Sequence, residues 1–113
     1  MTPQGELVVG GFDTRTLVVA VKDDCLGCRS VLEAPLGAFG DVATLLVSSR
    51  PSADPSWRTT QHRLVISELL MDELDVRWPP FYVLIDPANE KVMSEGVVFG
   101  VEQVREEIAP FLM

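Results

Sequence analysis

The stretch that decides the fold is LVVAVKDDCLGCRSVLEAPLGAF, Leu17 to Phe39. It passes from an apolar, β-branched run through a polar turn into helical spacing. The chain's two cysteines, Cys25 and Cys28, fall where the run gives way to the helix. This is the pattern of a strand-turn-helix unit with two thiols at the helix start. Unpaired backbone N–H groups and the positive end of a helix favour a thiolate on the opening turn. A cysteine three positions later lies on nearly the same face, within reach of a mixed disulfide formed by the first. On this reading Cys25 is the attacking thiol and Cys28 the resolving thiol, the two catalytic residues. Arg29 adds positive charge beside them, whereas Asp23 and Asp24 oppose ionisation.

Two other readings of the spacing stay open: a pair of reduced, partly buried cysteines, or half of a zinc site. Zinc usually takes four ligands, and the remaining candidate of the soft kind is the lone His62, far along the chain. No metal site within one copy and no cofactor is therefore expected, although a metal shared between two chains stays open.

Outward from this stretch, Thr16 to Val21 reads as an interior strand covered on both faces, and Asp24 is positioned to cap the helix that follows. The helix carries Val31, Leu32, Leu36 and Phe39 at helical spacing, with Pro35 kinking or ending it. Val42 to Val47 is a second central strand. Ser48 to Thr60 is a polar connection with two prolines, expected as a surface loop anchored by Trp57. Gln61 to Leu74 fits a second helix, with Val65, Ile66, Leu69, Leu70 and Leu74 inward and His62 exposed in its first turn. Phe81 to Ile85 is a third strand, followed by a reverse turn over Asp86 to Glu90 and an antiparallel return over Lys91 to Ser94. Gly96 marks a bend or bulge before Val97 to Phe99. Val101, Val104, Ile108, Phe111 and Leu112 line one side of a terminal helix, with Pro110 in its last turn. Upstream, residues 1–15 read as a short N-terminal extension or edge strand, with Leu7 to Val9 as its apolar part.

At 113 residues the chain is expected to form one domain spanning 1–113. The apolar share of 47% removes disorder as a competing class. A net charge of -8 argues against nucleic acid or an anionic membrane surface as the main partner, and the acidic run Met71 to Asp75 and the pair Glu106 and Glu107 read as solvated helix faces. No leader and no spanning run is visible, so a cytoplasmic protein is the default, where a lone cysteine pair suits catalysis or sensing better than stapling. The oligomeric state is left open. Strand, helix, strand, helix, strand, strand, helix gives a mixed central sheet with helices on both faces, a three-layer α/β/α architecture.

The cysteine pair after the first strong strand, the segment Trp78 to Pro80 before the third, the hairpin and the amphipathic last helix together resemble the thioredoxin fold, over roughly Thr16 to Phe111. Within that superfamily, PPFYVLIDPANEKV is most similar to the bacterial thioredoxin-like thiol-disulfide oxidoreductases related to cytochrome maturation proteins. The resemblance implies that Cys25 is the nucleophile and Cys28 the resolving cysteine. It also implies that Pro80 is the cis-proline facing them, and that Pro79 and Trp78 help to bind an extended substrate segment. A protein or small-molecule thiol or disulfide is the implied partner. The chain departs from thioredoxins proper in having Leu26 and Gly27 between the cysteines, Asp24 where a tryptophan precedes them, and Val19 where a buried acid lies. Its alternatives to an exchange enzyme are a redox-silent binding or assembly module and a thiol redox sensor.

Overall fold

The computed structural model describes residues 15–40, 42–74, 78–86 and 91–112. The expected strand at Leu7 to Val9 and most of the hairpin turn after Asp86 lie outside the described residues. Among the described residues, five strands, β1 (Thr16–Ala20), β2 (Ala43–Ser48), β3 (Arg63–Ile66), β4 (Phe81–Asp86) and β5 (Lys91–Val97), form one sheet in the order β3-β2-β1-β4-β5. The first three run parallel, whereas β4 is antiparallel to both β1 and β5. Among the described residues there are four helices: α1 (Leu26–Glu33), α2 (Pro55–Thr59), α3 (Glu68–Leu74) and α4 (Val101–Ile108), the last running into a 3-10 turn over Ala109–Phe111.

β1 is buried along its whole length because it lies mid-sheet between two helical layers. Its side chains alternate. Leu17, Val19 and Val21 join Cys28, Val31, Leu32, Trp57, Val104 and Ile108 on one face. Val18 and Ala20 join Leu70 and Leu74 of α3 on the other. The continuous apolar run is thus two interleaved stripes, each serving a different layer. The arrangement is the three-layer mixed sheet expected from the order of elements.

Between Ser48 and Leu74 the elements differ from the expected ones. The segment Gln61 to Leu74 is not one helix: Arg63–Ile66 forms β3 against β2, and α3 starts only at Glu68. Ser67 makes the join, donating its N–H to the Ser48 carbonyl (2.7 Å) while its Oγ accepts the Leu70 N–H (3.1 Å). A β-branched pair followed by a capped helix mimics helical spacing, and the free edge of β2 decided the outcome. In the polar connection, Asp54 caps α2 by accepting the Ser56 N–H, with Pro55 in the first turn. Trp57 anchors this segment as expected, since only 9% of it is exposed. No register shift falls at Gly96, which pairs with Tyr82; the irregularity lies at Leu84/Ile85, where Met93 is the extra residue of β5.

The last helix is tied to the hairpin by polar side chains. Buried Tyr82 donates its phenol to Glu107 Oε1 (2.6 Å), and Gln103 donates to Glu107 Oε2 (2.9 Å) and to the Val97 carbonyl (3.2 Å). Glu107 is therefore a structural acceptor rather than merely part of a solvated face, and its carboxyl is held below the usual range by those donors.

His62 is buried, at 5% exposure, rather than exposed in a helix turn. It packs on Phe39 with ring centroids 6.0 Å apart, and among the described residues neither ring nitrogen has a hydrogen-bond partner. Burial lowers its pKa from 6.5; the backbone of Ala34 acts the other way without reaching hydrogen-bond geometry. The unfolded chain therefore binds more protons below about pH 6.5, and stability present above that value declines as pH falls through the window beneath it. Asp54 and Glu107 have lowered pKa values and lose their contribution only further down, below 3.8 and 4.5 respectively. Urea unfolding at about pH 7.5 and about pH 5.5 should show a drop in midpoint that His62→Leu removes.

Candidate active site

The turn after β1 is set by backbone conformation. Asp24 has φ 54°, in the left-handed region that short polar residues tolerate, and this conformation takes it out of the capping position. Cys25 is the cap instead: its backbone is extended (φ -138°, ψ 111°) and its Sγ accepts the Cys28 N–H at 3.1 Å. The sulfur fills the role a serine or aspartate oxygen usually fills at a helix start. Cys25 and Cys28 are joined as a disulfide with Cα atoms 5.2 Å apart. Cys25 is partly exposed, whereas Cys28 is fully buried within the core. The Cys28 sulfur has its own donor, the Lys22 backbone N–H at 3.4 Å. Each sulfur of the pair thus faces one backbone amide.

Across from the pair, the Pro79–Pro80 peptide bond is cis. The Pro79 carbonyl oxygen lies 4.0 Å from Cys25 Sγ, although the two residues are 54 positions apart. Pro80 is buried against Gly27, where an added Cβ would stand 3.2 Å and 3.3 Å from its ring carbons. A glycine between the cysteines is therefore what lets the proline approach α1 so closely, a role the spacing alone did not reveal. Trp78, the third residue of this segment, is 72% exposed. Leu26 and Phe99 are exposed at the same end of the sheet, where β1 and β5 finish.

A depression of about 310 Å³ opens beside Cys25, lined by Asp23, Asp24, Leu26, Arg29 and Asp54. Arg29 does not stand free next to the thiol. It pairs with Asp54 at 2.6 Å, and Ser52 donates its hydroxyl to Asp23, so the segment leading into α2 forms one wall of the depression. Asp54 is held at about 2 by the Ser56 N–H first, then by Arg29 and the Ser56 hydroxyl. It stays ionised at any pH of interest here. The Asp-Pro-Ser run at 54–56 is an N-cap signal legible in the sequence, but its partner in Arg29 is not, because the pairing spans 25 residues.

The remaining singled-out residues lie elsewhere. Val19 is fully buried in the core, and Trp57 packs beneath the site in the same cluster rather than lining the depression. His62 sits near the far end of α1, beside Phe39. Among the described residues, no group of three His, Cys, Asp or Glu side chains comes together as a metal site.

The sequence matches no family model and no curated protein. The fold itself is found among solved structures. The thioredoxin domain of a thiol-disulfide oxidoreductase from Bacteroides vulgatus superposes with a TM-score of 0.66 at 14% identity, covering 88% of this chain and 80% of that one. The C-terminal domain of an uncharacterized protein from Bacteroides fragilis NCTC 9343 gives 0.59 at 16% identity, covering 88% and 82%. The chain therefore has the thioredoxin-like fold.

One contact in this site is open to direct test. In an ordinary helix, replacing glycine by alanine gains about 1 kcal/mol. Gly27→Ala should fail to show that gain in urea unfolding, because the new methyl meets the buried ring of Pro80. Ser30→Ala, at an exposed position of the same helix, should show a small gain of about 0.5 kcal/mol.

Proposed function

We propose that this chain is a thiol-disulfide oxidoreductase that cycles Cys25 and Cys28 between dithiol and disulfide. One observation carries the reading: a cysteine pair bonded at a helix start, with a partly exposed first cysteine, a buried second cysteine and a cis-proline segment opposite. In the reducing direction, the Cys25 thiolate attacks one sulfur of a substrate disulfide and expels the other as a thiolate. Cys28, as thiolate, then attacks Cys25 Sγ; the intramolecular disulfide forms, the bond to the substrate breaks and the second substrate thiolate leaves. Two electrons pass to the substrate, and the oxidising direction is the reverse. An extended substrate segment would lie along Pro79 and Pro80, with Trp78 offering apolar surface. Substrates are protein or small-molecule thiols and disulfides, and a cytoplasmic location belongs to the same proposal. So does the narrower kinship to oxidoreductases related to cytochrome maturation proteins, which rests on the stretch Pro79 to Val92. Among the described residues, no helix is long and apolar enough to cross a membrane.

A redox-silent binding module is the second reading, favoured by the exposure of Leu26, Trp78 and Phe99 around the pair. Single-cysteine variants decide between the two. Cys28→Ser should trap a mixed disulfide through Cys25, and Cys25→Ser should abolish exchange. Equal, slow alkylation of both cysteines, with no reversible intramolecular disulfide in a redox titration, would reject the enzyme and leave the module.

The exchange reading also predicts how Asp54 sets reactivity. Asp54→Asn keeps the helix cap but removes the charge that engages Arg29. Alkylation of Cys25 at neutral pH should then accelerate several-fold, and its ionisation midpoint should fall, as the guanidinium becomes available to the thiolate.

A further inference from the structure

The resolving step poses a problem that the first step does not. Cys28 has no exposed surface, so water does not solvate the thiolate it must become. Val19, six positions before Cys25, is an aliphatic core residue. Among the described residues, the buried ionisable side chains besides Cys28 itself are His62, Tyr82 and Asp86, and the Tyr82 hydroxyl is engaged by Glu107 and Ser94. Asp86 lies at the opposite end of the sheet, beyond the level where Ile85 pairs with Thr16, whereas the cysteines sit past Ala20. His62 is at the C-terminal end of α1, beside Ala34 and Phe39. The charged groups around the pair, Lys22, Asp23, Asp24, Arg29 and Asp54, stand on the solvent side, where all but Lys22 line the depression beside Cys25. What does reach the Cys28 sulfur is a main-chain donor, the Lys22 N–H at 3.4 Å.

We propose that the backbone N–H of Lys22 is the group that makes Cys28 competent to resolve a mixed disulfide, holding charge on its sulfur where no internal carboxylate serves it. This rests on the exchange reading for its function, while the contact itself is independent of that reading. The donor is fixed by the fold: Val21 donates to the Val47 carbonyl at 2.8 Å, so the residue before Lys22 is locked to β2. During resolution, negative charge leaves Cys28 as its bond to Cys25 forms, and the expelled substrate sulfur carries the electron pair away. The Cys28 proton goes to solvent before attack. A dipole suffices for this step because it stabilises the anion without itself accepting a proton. The Lys22 side chain, being exposed, takes no part.

The test uses reduced protein and an aromatic disulfide whose thiolate is coloured. Attack by Cys25 releases the first equivalent of thiolate and attack by Cys28 the second, so stopped flow separates the two steps. Lys22→Pro deletes the N–H, and Lys22→Ala keeps it. Losing a donor to a charged sulfur cuts the thiolate fraction about tenfold or more, and the greater basicity restores roughly half of that on a logarithmic scale. The second phase of Lys22→Pro should slow about three- to tenfold at neutral pH, with its midpoint moved to higher pH and the deficit disappearing once both thiols are ionised. The first phase, and both phases of Lys22→Ala, should stay at wild-type rates. General structural damage would not vanish at high pH. An unshifted second-phase profile in Lys22→Pro overturns the proposal.

If Lys22→Pro does not fold, Cys25→Ser supplies the second measurement, since serine retains the cap and leaves Cys28 as the lone thiol. There the Lys22 amide proton should move downfield with the same midpoint as the alkylation of Cys28, and a flat Lys22 shift across that titration overturns the inference. Should wild-type protein release no coloured thiolate in either phase, the enzyme reading fails, while the amide titration in Cys25→Ser still decides the role of Lys22.

Discussion

At the start of α1 the orphan N–H of Cys28 is satisfied by the sulfur of Cys25, so folding of the helix and chemistry of the site draw on one hydrogen bond. The dependence runs in both directions. An N-cap contributes about 1 kcal/mol to a helix, and a charged acceptor strengthens such a bond further, so the state in which Cys25 is most nucleophilic is also one that holds its helix well. The rest of the architecture supports this junction. β1 delivers the turn from mid-sheet, the left-handed Asp24 aims it, and Gly27 lets Pro80 close over it from the other side.

The guanidinium beside the junction is taken up by a carboxylate. Arg29 looks from its position like an activator of the thiol, but its nearest carboxylate is Asp54, and the pair joins α1 to the cap of α2. An exposed ion pair adds little to stability. Its effect here is to decide where a guanidinium spends its time. The polar segment between β2 and β3 is thereby part of the site: it presents Asp54 and Ser52 upward and sinks Trp57 into the layer that holds Cys28.

The parts of this molecule that were legible in the sequence are those set by local pattern. Strands β1, β2 and β4 stand out because each is buried on both faces and therefore nearly all apolar, and the terminal helix stands out by its period. The cysteine pair and the tryptophan-proline-proline segment pointed to one another only through the family likeness, as nothing local to Pro79 says that its carbonyl will face Cys25. What could not be read is what distance in the chain hides. The segment of β3 reads equally as the first half of a helix because Val65 and Ile66 fit either period, and only the open edge of β2 distinguishes them. His62 reads as a surface residue in an apparent helix turn, whereas once β3 is a strand it is carried inward onto Phe39. Residue type alone makes Asp24 the cap, yet its backbone conformation hands that position to its neighbour.

The complete burial of Cys28 has a steric consequence for whatever meets this site. A sulfur can displace another only along the axis of the bond being broken, and one end of that axis is closed by the core around Cys28. On the exchange reading, a visitor must therefore arrive from the solvent side of Cys25, where the depression lined by Leu26, Arg29 and Asp54 opens. A sulfur set on a protruding loop or a frayed end can enter that depression, whereas one recessed in a rigid surface is held off by the visitor's own bulk. For an exchange enzyme, this would sort encounters by how far a sulfur stands out from its carrier, before any chemical preference comes into play.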